Sequence, residues 1–208
     1  MKNTIYIDST QSVTDMCIIG GNNNTDKSPL SLNSPCSGHR KGYTSAYSML
    51  FSSMRNKPIN FAEIGVEQGN SLLMWSEWFP HASIYAFELD QSKIDLCRVK
   101  NIDRVQYHQT DVSNIDLLRK SFYGSNALFD ILIDDSSHII EHQNIIIKTS
   151  YPFLKSGGVL VIEDLDRGTE ISSFEIDSSK WSFHTFIVCD HSDRNCWNND
   201  KILVLWKR

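Results

Sequence analysis

The stretch Phe129–Asp164 constrains the chain most, because it carries two apolar runs that each end in acid. Ile131–Ile133 leads into Asp134, Asp135 and His138, and Val159–Ile162 leads into Glu163 and Asp164. An unbroken apolar run of this length between turn residues fits a strand buried on both faces. Ile139 to Phe153, between the runs, is long enough for a helix and is closed by Lys155-Ser156-Gly157-Gly158. A strand–helix–strand unit sets its strands parallel. If the two strands are neighbours they lie about 5 Å apart, and their carboxylates and imidazole meet at one sheet edge. Open α/β sheets bind ligands at that edge.

The rest of the chain repeats the pattern. Met1 to about Gly42 is polar and turn-rich and reads as a flexible arm or lid. Tyr43–Met54 has Tyr43, Tyr47, Leu50, Phe51 and Met54 at helical spacing. Strands are predicted at Ile59–Val66, Ser83–Leu89 and Arg104–Gln109, each followed by a helix: Leu72–Phe79, Ser92–Val99 and Asn114–Phe122. Trp75, Trp78 and Phe79 fit the core. Glu170–Lys180 has helical spacing but four serines. Ser182–Cys189 and Lys201–Trp206 read as a final strand pair. The expected fold is α/β: a doubly wound, mostly parallel seven-stranded sheet with a C-terminal antiparallel strand. The expected organisation is an arm over 1–42 and a single domain over 43–208.

The remaining features narrow the function classes. The net charge is −5 and no long basic run occurs, which argues against binding nucleic acid through its phosphates. No apolar stretch approaches the roughly 20 residues that span a bilayer, and the N-terminus lacks the apolar core of a signal peptide. Five widely spaced cysteines without a CxxC pair fit free thiols in a reducing, cytoplasmic setting.

The turn after the first strand, Glu63-Ile64-Gly65-Val66-Glu67-Gln68-Gly69, carries two glycines suited to a sharp turn and a close ligand. It does not match the dinucleotide pattern G-x-G-x-x-G, which disfavours a nucleotide-sugar oxidoreductase. Glu88 ends the second strand about 20 residues on, where a carboxylate can accept from a ribose diol. Asp111 follows the third strand, where it can accept from an adenine amino group.

AEIGVEQG with Glu88 and Asp111 resembles the class I S-adenosylmethionine-dependent methyltransferases. The resemblance narrows at Thr25-Asp26-Lys27, His39 and Tyr43, then SLLMWSEWFPHASIYAFELD, IDDSSH and GGVLVIEDL. These stretches resemble the metal-dependent sugar O-methyltransferases of macrolide biosynthesis, the mycinamicin and tylosin type, and their cephalosporin-pathway relatives. Ser136 stands where those relatives usually have glycine, and nothing specific is recognised after Asp166.

The resemblance implies S-adenosylmethionine bound by Thr25, Lys27, Glu63, Gly65, Gly69, Ser71, Glu88, Asp111 and Asp134, with Lys27 part of a flap over the cofactor; on its own Lys27 reads equally as a solvated arm residue. It implies Mg2+, or Mn2+, held by Asp135, Glu163 and Asp164, with His138 as the base beside Asp135. The acceptor would be a sugar hydroxyl on a small molecule or glycan, a deoxyhexose such as rhamnose. Nucleic acid and membrane are not expected partners, and a homo-oligomer is left open. The chemistry is coherent, because a hydroxyl is a weak nucleophile until a cation lowers its pKa and a base takes its proton.

Each residue alone has a plainer reading. Asp134 and Asp135 could cap a helix, Glu163-Asp164 could be a solvated strand end, and His138 could be a surface residue. His142, one helical turn further on, is a rival base. A non-sugar acceptor and a non-catalytic cofactor-binding protein are the alternative functions.

Overall fold

A computed structural model describes residues 4–32, 42–190 and 199–208. His39, part of the family resemblance, lies outside these residues. Among the described residues the sheet has eight strands: β1 (Thr4–Asp8), β2 (Asn60–Ile64), β3 (Ser83–Glu88), β4 (Val105–Gln109), β5 (Phe129–Asp134), β6 (Leu154–Leu165), β7 (Trp181–Asp190) and β8 (Lys201–Lys207). Their order is β1-β7-β8-β6-β5-β2-β3-β4. β8 runs antiparallel to β6 and β7, and every other pairing is parallel. Six helices connect them: α1 (Asp15–Asn22), α2 (Tyr43–Phe51), α3 (Asn70–Trp78), α4 (Gln91–Val99), α5 (Ile115–Ser125) and α6 (Ile140–Ser150). None is long and apolar enough to cross a membrane.

The doubly wound reading holds, with one strand more than expected. The extra strand is β1, from the segment read as an arm. It pairs with β7 from Thr4 opposite Phe186 to Asp8 opposite Asp190. The turn-rich Gly20-Gly21-Asn22 closes α1, which buries Met16, Cys17, Ile19 and Gly20. Residues 4–32 are therefore packed into the body of the fold. Five residues on a sheet edge show no clear alternation, so main-chain pairing to β7, not side-chain pattern, places them. Glu170–Lys180 does not form the suggested helix. Only Ile171–Ser173 makes a 3-10 turn, because its serines favour turns while Ile171, Phe174 and Ile176 pack under the sheet. The Lys155–Gly158 turn is absorbed into β6, with a register shift against Phe129 and Ile131 and Gly157 at φ +74°.

Alternate strand residues face opposite sides of the sheet. Phe61, Ile131, Ile133, Val159 and Val161 lie in the core beneath α1, α2 and α3 with Tyr47 and Trp75. Ala62, Ile64, Leu132, Leu160 and Ile162 face α5 and α6 with Phe122 and Ile146. The Phe61 and Trp75 rings pack at a tilt with centroids 4.5 Å apart. Trp75, Trp78 and Phe79 are buried, as read from their spacing.

Strand order reverses between β2 and β5, where Ile64 and Asp134 are register partners. The turns that follow these strands touch. Gly65 has φ +81°, and a Cβ there would lie 2.1 Å from the Asp135 carbonyl oxygen. Its glycine is thus required for chain-to-chain packing at the switch point. Gly65→Ala is expected to cost roughly 2–4 kcal/mol, measured as a lowered urea midpoint. An unchanged midpoint would contradict this contact.

Candidate active site

Parity along the strands assembles the site. Glu63 is two residues on from Phe61, Asp135 from Ile133 and Glu163 from Val161, so all three acids fall on the α1–α3 face. Glu63 and Glu163 are 0% and 1% exposed. Burial raises the pKa of each, that of Glu163 to about 7. Burial also raises Asp135 and lifts Asp134, at the end of β5, to about 6.

Donors from distant segments meet these acids. The Lys27 ammonium, 1% exposed, donates to Asp135 and to Glu163 (2.6 Å), and lies 3.6 Å from Glu63. Burial by itself would depress the Lys27 pKa, but Asp135, Glu163 and Glu63 outweigh it and hold the amine well above its ordinary value. Tyr47 Oη donates to Glu163. Tyr43 Oη lies 2.8 Å from Asp164 Oδ1 and accepts the Asp164 N–H at 3.3 Å. Burial raises both phenols. Helical spacing alone places Tyr43 and Tyr47 on an apolar face, and Tyr43 also belongs to the family resemblance. Their i, i+4 spacing opposite two terminal acids was the available signal.

Asp135, His138 and Asp164 offer ligand atoms that lie within 4.8 Å of one another. His138 Nε2 is 3.5 Å from Asp164 Oδ2. His138 and Asp164 both hold left-handed backbone, at φ +57° and +58°, so His138 precedes α6 and does not ride on its first turn. Glu163, the third expected ligand, is turned toward Lys27 and Tyr47. His142 Nδ1 instead pairs with Ser137 Oγ at 2.8 Å.

The expected cofactor residues separate into several groups. Glu63 accepts from Ser71 Oγ (2.7 Å) and Trp75 Nε1 (3.2 Å). Glu88 closes the glycine turn upon itself: its carboxylate accepts from the N–H groups of Val66, Glu67, Leu89 and Asp90 at 2.9–3.2 Å. Gly69, at φ +76°, starts α3 against Cys97. Asp134 accepts from Ser136 Oγ and N–H at 2.5 and 3.2 Å. Asp111 accepts from Ser113 Oγ and N–H, bonds that lower its pKa. Thr25 Oγ1 accepts the Lys27 N–H at 3.4 Å. Lys27 therefore sits among the acids expected to hold a metal, although it was read as a flap residue for the cofactor.

The chain is similar to several curated proteins. It is 33% identical over 171 residues to mycinamicin VI 2''-O-methyltransferase of Micromonospora griseorubida, covering 77% of this chain and 41% of that protein. It is 32% identical over 131 residues to 8-demethyl-8-alpha-L-rhamnosyl tetracenomycin-C 2'-O-methyltransferase of Streptomyces olivaceus, covering 59% and 33%. No protein-family model matches the chain. The chain spans about two-fifths or less of the length of these relatives. Among solved structures, MycE methyltransferase of the mycinamycin pathway, in complex with Mg, SAH and mycinamycin VI, superposes with a TM-score of 0.66 at 21% identity, over 93% of this chain and 54% of that one. An rRNA methylase from Streptococcus thermophilus superposes with a TM-score of 0.56 at 12% identity, over 78% and 95%. At such identities the likeness is one of fold. The chain is a homologue of the macrolide and tetracenomycin sugar O-methyltransferases, built on the class I methyltransferase fold.

Proposed function

We propose that this chain carries the methyl-transferring unit of a Mg2+- or Mn2+-dependent O-methyltransferase that takes its methyl group from S-adenosylmethionine. The acceptor is a sugar hydroxyl of a glycosylated small molecule, a deoxyhexose such as rhamnose, in the cytoplasm. The observation that carries this reading is the convergence of Asp135, His138 and Asp164 within 4.8 Å at the strand-order switch point. The named activities of the relatives support the choice of a sugar acceptor.

The donor set suits a hard divalent cation. Glu63, Asp134, Asp135, Glu163 and Asp164 gather at one sheet edge, and Lys27 brings a single positive charge to three of them. Oxygen ligands of this kind favour Mg2+ or Mn2+. Asp135 and Asp164 would hold the cation, with Glu163 joining them once its present bonds are exchanged. Such a cation lowers the pKa of a hydroxyl bound to it. His138 is the base: it stands exposed at the cluster, with its Nε2 3.5 Å from Asp164 Oδ2. The turn Glu63–Gly69, with Ser71, Glu88, Asp111 and Asp134, forms the cofactor side, where S-adenosylmethionine supplies an electrophilic methyl group. Glu88 can receive a ribose only by giving up backbone N–H bonds, since four already fill its acceptor sites.

Methylation of a rhamnosylated acceptor, read as a 14 Da gain, should stop in EDTA and return with Mg2+. His138→Ala should slow turnover by about 10²–10⁴ with cofactor affinity retained. Full activity in chelator would exclude the metal role. Loss of turnover in His142→Ala, with His138→Ala intact, would move the base.

Stability should also report the acids. Glu163 is raised from 4.5 to about 7, so the folded state holds a proton that the unfolded state releases. Its contribution is full below pH 4.5 and is lost as pH rises to about 7. His108, whose pKa burial lowers, acts with the opposite sign. The Glu163 effect is therefore read as the difference between wild type and Glu163→Gln. In EDTA, wild type should lose stability relative to the variant between pH 4.5 and 7, and Mg2+ should restore it most at pH 8. A difference that is flat with pH would contradict the burial of this acid.

A further inference from the structure

The Lys27 main chain is tied down on both sides. Its carbonyl accepts the Thr44 N–H at the start of α2 (3.1 Å), and Ser28 Oγ donates to the Cys17 carbonyl at 2.6 Å. From this anchor the side chain reaches the acid cluster, where it is 1% exposed. Its ammonium takes Oδ2 of Asp135 and Oε2 of Glu163. Tyr47 takes the other Glu163 oxygen, Oε1. Glu163 thus has both oxygens engaged, and Asp135 has one.

A cation bridging Asp135 and Glu163 would have to stand where the Lys27 ammonium now bonds both. An ammonium and a divalent ion sharing the same carboxylates also repel each other strongly at such separations. The charge demand runs the other way as well: buried acids stripped of a cation are costly. One positive group must stand at this edge, and two compete for it. From this geometry we propose that Lys27 is a built-in competitor of the metal, an internal cation that occupies Asp135 and Glu163 and must be displaced before a divalent ion can take both. The inference rests on the metal reading of the site given above. It assigns Asp135 and Asp164 as the first contacts of an arriving ion, because their ligand atoms already converge, and leaves His138 beside them as the base. Glu163 becomes a ligand only when the ammonium leaves. A site built this way keeps its acids paired without metal, at the expense of metal affinity.

Calorimetric titration with Mn2+ at pH 8 tests this in the wild type, in Lys27→Met and in Lys27→Arg. Removing the charge should tighten Mn2+ binding by about tenfold or more, while the arginine variant should stay near wild type. Equal or weaker binding by Lys27→Met overturns the competition. Because that variant strips Glu63 and Glu163 of their counter-ion and threatens folding, the wild type carries a second readout. With 15N-labelled lysine, the protected Lys27 ammonium resonance should shift or vanish as Mg2+ saturates the protein. A resonance unmoved at saturation overturns the competition even if the metal binds. No Mn2+ binding by any of the three proteins overturns the metal reading itself, and the competition with it.

Discussion

Carboxylates buried at the ends of parallel strands need an answering charge or donor, and much of this structure is arranged to supply one. Glu63, Asp134 and Glu163 are almost wholly buried, where an unpaired carboxylate costs several kcal/mol. The answers come from far along the chain. Lys27 is separated from Asp135 by 108 residues and from Glu163 by 136. Tyr47 reaches Glu163, and Ser71 and Trp75 reach Glu63. The N-terminal segment, α2 and α3 are thereby committed to one face of the sheet. Packing of Tyr47 and Trp75, with centroids 5.2 Å apart, and the polar bonds those side chains make act together.

The backbone at the same edge is unusual for the same reason. Gly65 lets the first turn touch Asp135, while His138 and Asp164 hold left-handed conformations that ordinary residues rarely adopt. Each such non-glycine residue costs of order 1–3 kcal/mol and persists where its surroundings hold it. Asp164 is held by Tyr43 through both its carboxylate and its N–H. His138 Nε2 and Asp164 Oδ2 stand 3.5 Å apart at this edge.

The class I fold is shared with methyltransferases as different in name as a macrolide-pathway enzyme and an rRNA methylase, so the fold does not choose the acceptor. The proposed chemistry is local: it rests on the acids at the ends of β5 and β6 and the imidazole beside them. In folds shared this widely, function is argued from such a site and not from the fold.

The sequence by itself determined the central sheet, because strands buried on both faces must be written as unbroken apolar runs, and Ile131–Ile133 and Val159–Ile162 are such runs. It determined that Asp135, His138 and Asp164 share an edge, because parallel neighbours end together. Tertiary structure alone decided the rest. Edge strand β1 is set by hydrogen bonds to β7, and its five residues carry no local signature. Lys27 reads from sequence as a flap or a solvated arm residue because its main partners, Asp135 and Glu163, lie more than a hundred residues away. Glu88 looked free for a ribose because the N–H groups that fill it come from the turn after β2 as well as from its own. Glu170–Lys180 kept helical spacing but spent its apolar residues beneath the sheet. Periodicity reports which face a side chain takes. It carries no information about what another segment, a hundred residues away, brings to that face.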